Sequence, residues 1–189
     1  MKRSISLILL LIVLSFSGVK ADEKLSIYDL KCENLKNPLG IDKTTPRFSW
    51  KIRSSVNGTQ IAAYQLLVAS SEQLLKKEQA DYWNSQRVES SESVLVPYKG
   101  NALSSGLAYY WKVRFWDTKG NVSPWSDVAS FTVGLLNKSD WKAVYVGFPT
   151  DSGYRECPQM MKTFELKNTN EKLLLHVNSL GYHEVYMNG

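Results

Sequence analysis

Apolar residues recur at every second position over much of this chain, which is the spacing of half-buried β-strands. The clearest case is the segment 109–116, whose two faces alternate strictly. One face carries Tyr109, Trp111, Val113 and Phe115, and the other carries Tyr110, Lys112, Arg114 and Trp116. The same alternation or a short apolar run predicts further strands at residues 27–33, 46–52, 61–69, 93–98 and 129–133.

Turn signals separate these segments. Asn37-Pro-Leu-Gly40 and Asp117-Thr-Lys-Gly120 end strands, and Asn57-Gly58 predicts a tight hairpin that begins a β-meander. Ser70 with Gln73 matches a capping box, which predicts a short helix over 73–79 as an insertion outside the core. About seven short strands with turns every ~8 to 12 residues indicate an all-β, immunoglobulin-like sandwich.

The inward faces of these strands predict the core. We expect one set of side chains to be buried between the two sheets: Phe48, Trp50, Tyr64, Leu66, Val68, Leu95, Leu103, Tyr109, Trp111, Val113, Phe115 and Phe131.

The N-terminus has the pattern of a secretory signal. Lys2 and Arg3 precede an apolar run over 5–16, and Val19-Lys-Ala21 fits a cleavage site, so residues 1–21 are predicted to be removed. The run is shorter than the ~18 residues of a membrane span, so no stable membrane insertion is expected after cleavage. The pattern predicts a periplasmic or extracellular protein.

Composition narrows the choice of partners. The chain has 189 residues and is 43% hydrophobic and 22% charged, as in ordinary globular proteins, and it is too short for a (β/α)₈ barrel of ~250 residues. Cleavage after Ala21 would lower the net charge from +5 to +2. Nucleic acid is therefore not expected as a partner.

No metal or cofactor is predicted. His176 and His183 are seven positions apart, and the two cysteines, Cys32 and Cys157, are 125 positions apart, so neither pair has a metal-ligand spacing. Export would permit a disulfide between the cysteines, and two separate half-buried thiols agree with the sequence at least as well.

Several polar groups are candidate sites with a structural alternative. Glu89 with Glu92, and Asp117 with Asp127, could form carboxylate pairs, but turns and exposed faces explain them as solvated charges. His183 and Glu184 would point to opposite faces of a strand. The set that would share one face, and could contact a sugar, is Tyr182, Glu184 and Tyr186.

The face that carries Tyr110, Lys112, Arg114 and Trp116 interleaves aromatic and basic groups, as a single-stranded nucleic-acid platform would. We favour a structural role, in which Arg114 stacks on Trp125 through a cation–π contact. Asn57, Asn121 and Asn137 form glycosylation sequons, which decide nothing about function.

Several motifs carry a family resemblance. The segment Leu103 to Tyr109 resembles the tyrosine corner of fibronectin type III domains, with Tyr109 as the corner residue. A further ordered set resembles the N-terminal region of bacterial α-L-rhamnosidases of glycoside hydrolase family 78: Asn37-Pro-Leu-Gly-Ile-Asp42, Pro46-Arg-Phe-Ser-Trp50, Ala63 to Ser71, Tyr109 to Arg114 and Trp125-Ser126. The resemblance implies a fibronectin type III-like sandwich over 22–134. Ser123-Pro-Trp-Ser126 is also partly similar to the Trp-Ser-x-Trp-Ser motif of cytokine receptors, with Val122 in place of the first tryptophan.

The resemblance continues beyond the sandwich. Gly134-Leu-Leu, Asp140 to Ala143, Met161 to Leu166 and Leu180 to Gly189 resemble the family's linker and the start of its β-jelly roll. Residues 135–189 are therefore expected to be a linker and an incomplete jelly-roll segment, since 55 residues are too few for eight strands. We expect the chain to be a fragment whose unpaired strand edge promotes association.

The resemblance implies a parent enzyme that hydrolyses terminal α-L-rhamnosides with inversion, using two carboxyl groups. In the family these groups lie in an (α/α)₆ barrel that has no counterpart here, so no catalytic residue is assigned and the chain alone is expected to be inactive. The expected partners are downstream domains of the parent and rhamnose-containing glycans of plants or microbes. The alternative is a free-standing carbohydrate-binding or adhesion module.

Overall fold

The computed structural model describes residues 24–147, 159–165 and 173–189. The chain divides into two units, one ending at Lys142 and the other beginning at Ala143. The predicted signal and its cleavage site lie outside the described residues, as does Cys157. Within the part of the chain that is described, no helix is long and apolar enough to cross a membrane.

Two antiparallel sheets form the first unit. The strands are β1 (Leu25–Cys32), β2 (Arg47–Ser54), β3 (Ile61–Ala69), β4 (Trp83–Asn84), β5 (Val96–Pro97), β6 (Ala108–Asp117) and β7 (Ala129–Thr132). One sheet has the order β1-β2-β5 and the other has the order β4-β3-β6-β7. The sandwich predicted from the strand pattern is confirmed.

The core lies between the sheets, where aromatic rings from both sides meet. Phe48 of β2 lies 4.6 Å from the ring of Trp111 in β6 and 5.7 Å from that of Phe131 in β7, measured between centroids. Trp111 is fully buried. Eleven of the twelve predicted core residues are buried, so the alternation identified the inward faces correctly.

Leu95 is the exception, and its prediction as a core residue is wrong. Its backbone adopts a left-handed conformation with φ of 54°, and its N–H donates to Ser49 Oγ at 2.8 Å. This conformation interrupts the alternation, because successive side chains no longer point to opposite faces. Val96 is buried in its place.

The predicted hairpin at Asn57-Gly58 is also wrong. A turn does form there, with Gly58 at φ of 76°, but β2 and β3 belong to different sheets. Ser54 Oγ accepts hydrogen bonds from the Val56 N–H and the Thr59 hydroxyl, at 2.9 and 2.8 Å, and so stabilises the crossing. The turn therefore carries the chain between the layers.

Helix α1 (Glu72–Lys76) follows β3 and is shorter than predicted. Its N-cap is Ser71, whose Oγ accepts from the Leu74 N–H at 3.4 Å, whereas the predicted cap Ser70 bonds to Asp81. Leu75 is fully buried in a second apolar cluster with Leu67 and Ala69. The helix therefore covers the outer face of the four-stranded sheet.

The tyrosine corner is present as predicted. The Ser104 N–H donates to Tyr109 Oη at 2.8 Å, which ties the loop before β6 to the start of that strand. The segment after β1 crosses to the other sheet, where Ile41 pairs in parallel with Val133. This segment therefore pairs with the edge strand β7.

A short 3₁₀ helix (Lys138–Asp140) follows β7 near the end of the first unit. The described residues from 143 onward contain no helix or strand. That residues 135–189 hold a linker and the start of a jelly roll stays a prediction.

Candidate functional site

The outer face of β6 carries a cation–aromatic ladder formed by Arg87, Lys112, Arg114, Trp116 and Trp125. Above the Trp125 ring lie Lys112 Nζ at 4.7 Å and Arg114 Cζ at 4.5 Å from the centroid. Above the Trp116 ring lie Arg114 Cζ at 5.1 Å and Arg87 Cζ at 4.9 Å. The predicted stacking of Arg114 on Trp125 is confirmed.

Two buried serines fix the position of Trp125. Ser123 Oγ accepts from the Phe115 N–H at 3.0 Å, and Ser126 Oγ accepts from the Val113 N–H at 3.1 Å. Pairing of β6 with β7 reaches only as far as Trp111, so the serine hydroxyls bind β6 where the neighbouring strand is absent. This role accounts for the serines of the Ser-Pro-Trp-Ser segment.

Lys112 anchors helix α1 to the ladder. The residue is 6% exposed, and Nζ donates to the Leu75 carbonyl oxygen at 2.6 Å. Burial lowers the pKa of the Lys112 ammonium from its usual value. The alternating basic and aromatic groups of β6 are therefore engaged with the protein itself, which supports the structural interpretation of this face.

The predicted carboxylate pairs have separate local roles. Asp117 is buried and accepts from the N–H groups of Lys119 and Asn121 at 2.9 and 2.8 Å. Burial raises the pKa of Asp117, but the hydrogen bonds from Asn121 and Lys119 outweigh it and hold that pKa below its usual range. Asp127 is exposed, and Glu89 pairs with Arg87 at 2.7 Å. Asp117 therefore stabilises a turn, and Asp127 and Glu89 are surface charges.

The side chains of Tyr182, Glu184 and Tyr186 do lie together, although the described residues form no strand here. The Tyr182 hydroxyl donates to Glu184 Oε1 at 2.6 Å, and the Tyr186 hydroxyl donates to Oε2. The two hydrogen bonds lower the pKa of Glu184 and raise those of both tyrosines. His183 turns elsewhere and contacts Ser179 Oγ through Nδ1 at 2.7 Å. Contact of this set with a sugar stays a prediction.

Cys32 is a free thiol at the end of β1. It is 1% exposed, and burial raises its pKa to about 12, so the thiolate is disfavoured at neutral pH. Its position fits the interpretation as a separate buried thiol. Among the described residues, no group of three or more histidine, cysteine, aspartate or glutamate side chains could hold a metal ion.

A second charged cluster, which was not predicted from the sequence, lies on the outer face of the three-stranded sheet. Asp29 lies within 3.6, 3.5 and 2.9 Å of the ammonium groups of Lys31, Lys36 and Lys51, respectively. The hydrogen bond from Lys51 holds the pKa of Asp29 below its usual range. Lys51 and Arg53 point outward from β2, and this alternation could have placed the two cations on an outer face but not beside Asp29 and Lys31.

Comparison with protein families identifies the sandwich. Residues 27–137 match the family model described as the Rha78A-like N-terminal immunoglobulin domain. An α-L-rhamnosidase from Formosa agariphila is 37% identical over 166 residues, which cover 83% of this chain and 18% of that protein. An α-L-rhamnosidase from Streptomyces avermitilis is 41% identical over 117 residues, covering 62% of this chain and 11% of that protein.

Solved structures agree with this match. The α-L-rhamnosidase from Dictyoglumus thermophilum superposes with a TM-score of 0.61 at 45% identity, over 62% of this chain and 13% of that one. The Streptomyces avermitilis α-L-rhamnosidase, solved in complex with L-rhamnose, gives a TM-score of 0.63 at 39% identity, over 66% and 12%. The chain thus spans about a fifth or less of the length of these relatives.

Proposed function

The chain belongs to the family of Rha78A-like N-terminal immunoglobulin domains, and we propose that it forms the non-catalytic N-terminal part of an exported α-L-rhamnosidase. The parent would hydrolyse terminal α-L-rhamnosides with inversion. One carboxylic acid would protonate the leaving oxygen while a carboxylate activates water. Both groups would come from domains beyond this chain.

One observation carries the proposal. The Formosa relative aligns with 83% of this chain but uses only 18% of its own length to do so. Because a similar sandwich forms one part of much larger rhamnosidases, we expect this sandwich to be one part of an enzyme with the same domain organisation. The expected partners are accordingly the remaining domains of the parent.

The contacts at the end of the sandwich support a positioning role, in which the sandwich orients the proposed downstream domains. Ser105, in the loop before β6, accepts from the Leu136 N–H at 3.0 Å and donates to Asp140 Oδ2 at 2.5 Å. Asp140 also accepts from the Asn137 N–H at 2.9 Å, and the Ser105 hydrogen bond lowers its pKa. The chain that leaves β7 is therefore held to the sandwich as far as the 3₁₀ helix.

Export is part of the proposal, because the basic start, the apolar run and the Val-x-Ala site at residues 1–21 fit a secretory signal. The substrate would be a rhamnose-containing glycan of plant or microbial origin. The bound L-rhamnose of the Streptomyces structure belongs to that enzyme, and it suggests the sugar class to test with this one.

The test compares this chain with a longer protein from the same gene that carries the proposed downstream domains. We expect the longer protein to cleave 4-nitrophenyl α-L-rhamnoside and to release the inverted anomer first, as seen by NMR. The 189-residue chain alone should show no turnover. Turnover by the 189-residue chain, or a longer protein inert towards rhamnosides, would refute the proposal.

The positioning role has its own test in the longer protein. Asp140→Ala removes the acceptor that joins Ser105 to the 3₁₀ helix, and it should lower the temperature at which rhamnosidase activity is half lost. Asp127→Ala is the matched control, since it removes one exposed carboxylate from the same sandwich. Equal heat inactivation of the two variants would contradict a positioning role for Asp140.

A further inference from the structure

The outer face of the three-stranded sheet presents cations in a row. We name it the basic face and define it by Tyr28, Lys31, Lys36, Lys51 and Arg53. Register pairs Tyr28 with Lys51 and Ser26 with Arg53, which brings the two strands' outward residues together. Outward residues on one strand are about 6.6 Å apart, and Arg47 extends the row along β2 to about 20 Å.

A β-bulge shapes this face. The pairing passes from Tyr28 opposite Lys51 to Lys31 opposite Ser49, so Asp29 and Leu30 together oppose one residue of β2. Asp29 adopts φ of 53°, a left-handed conformation that aspartate tolerates better than most residues. The bulge lets Asp29 reach Lys31, Lys36 and Lys51 on the outer side of the sheet.

The carboxylates lie beneath the cations. The Asp29 side chain is 15% exposed, whereas those of Lys51 and Lys36 are 62% and 70% exposed. Glu33 is likewise 14% exposed under Arg47 at 44%. Solvent, and any molecule that approaches this face, therefore meets ammonium and guanidinium groups first.

A pocket of about 240 Å³ opens at the end of the row. It is lined by two cationic residues and three serines: Lys24, Ser26, Arg53, Ser54 and Ser55. Charged nitrogen donors next to hydroxyl donors suit a carboxylate or a sulfate group. The Arg53 guanidinium, which lies 4.8 Å from the Tyr28 ring centroid, connects this pocket to the row.

We propose that the basic face and its pocket bind an acidic polysaccharide, one whose sugars carry carboxylate or sulfate groups. Charge complementarity with the row of cations indicates this class of ligand. A row of about 20 Å matches repeated negative charge better than a single small ion does. The choice of a glycan rests on the proposed function, since an exported part of a glycoside hydrolase meets polysaccharide rather than nucleic acid.

The basic face has a higher net positive charge than the chain is expected to have after signal removal, so the structure reveals the site and the amino-acid composition does not. The residues linked by these contacts include six basic ones and two acidic ones. That local excess of four exceeds the charge of +2 expected for the whole chain after signal removal. The rest of the chain is therefore slightly acidic, and the net positive charge is carried by this face.

The test measures binding of the full chain to dextran sulfate, to polygalacturonate and to neutral dextran, by isothermal titration calorimetry at low ionic strength. Binding to one or both acidic polymers and none to dextran is expected, and the first two arms show whether sulfate or carboxylate is preferred. Affinity should fall steeply as salt is added.

Variants locate the site. Lys51→Gln with Arg53→Gln should weaken binding about tenfold, because two exposed charges of the row are lost. Lys76→Gln with Lys77→Gln removes the same charge from the C-terminal end of helix α1, which packs on the opposite sheet, and should leave binding unchanged. Asp29→Asn removes the carboxylate beneath three lysines and should strengthen binding. Circular dichroism checks that each variant is folded.

The outcomes separate this proposal from its alternatives. Absence of binding to both acidic polymers, or equal weakening by the two double variants, would overturn it. Tighter binding to vesicles of anionic phospholipid or to a single-stranded oligonucleotide would overturn the choice of polysaccharide. Rhamnosidase activity of the longer protein is a separate readout, so failure here does not count against the proposed function.

Discussion

The outer faces of the two sheets carry the same types of side chain and use them differently. On the four-stranded sheet, Lys112 is 6% exposed and spans Trp125 and the Leu75 carbonyl. On the three-stranded sheet, the Lys51 side chain is 62% exposed above Asp29. Helix α1 packs over Lys112, so this cation stabilises the fold, whereas a cation on the basic face is available to a partner.

Carboxylates repeat this contrast. Asp117 is buried and fixes the turn after β6 through backbone N–H donors, whereas Asp29 pairs with lysines that shield it from solvent. The same residue type thus stabilises a turn on one sheet and moderates a positive surface on the other. The surroundings of a charged side chain decide its role, and strand alternation alone does not reveal those surroundings.

Both faces depend on the shared core, so its disruption should have the largest effect. Trp111→Ala should lower the free energy of unfolding by about 3 to 5 kcal/mol, because a large and fully buried ring is lost. Urea denaturation followed by circular dichroism measures this change. A loss below about 1 kcal/mol would show that Trp111 does not lie between the sheets.

Matched lysine substitutions test the difference between the faces. Lys112→Met keeps the aliphatic stem but removes the donor to Leu75 and the cation above Trp125, which should cost about 1 to 3 kcal/mol. Lys51→Met, on the exposed face, should leave the unfolding midpoint essentially unchanged. Similar effects of the two substitutions in the same denaturation experiment would remove the contrast.

Lowering the pH should remove the stability that Asp117 and Asp29 contribute, and the size of the loss should distinguish the two aspartates. Both have a folded-state pKa below the usual value, so each contributes stability that is present above the unfolded pKa of about 4 and is lost as pH falls through the folded pKa. Asp117→Ala should therefore destabilise the protein by about 1 to 2 kcal/mol at pH 7 and by much less at pH 2.

Asp29→Ala is the comparison for that experiment, and its effect at pH 7 should be smaller because the lysines around it are exposed and screened by solvent. Thermal melts of both variants and the wild type between pH 2 and pH 7 provide the data. A destabilisation of Asp117→Ala that is independent of pH would count against the assigned hydrogen bonds.

Alternation of apolar residues predicted the two-layer fold because each strand buries one face whatever its neighbours are. It failed at Leu95, where a left-handed backbone breaks the alternation, and at Asn57-Gly58, where a local turn signal cannot report which sheet the next strand joins. The stack of Arg114 on Trp125 was predictable because Trp125 follows β6 closely in sequence.

The basic face was not predicted because it depends on pairing and on a bulge. Lys31 and Lys51 are twenty positions apart and become neighbours only through the register of β1 with β2. The net charge gave no hint, since cations concentrated on one face are balanced elsewhere in the chain. The role of Lys112 was missed because the alternating pattern did not show that helix α1 covers that side of β6.

Lysine acetylation read by mass spectrometry tests the contrast between the faces most directly. Under native conditions with limiting reagent, Lys36 and Lys51 should be modified early and Lys112 last, because only the first two ammonium groups are open to solvent. Modification of Lys112 at the rate of Lys36, in protein that is still folded, would contradict a closed four-stranded face and an open basic face.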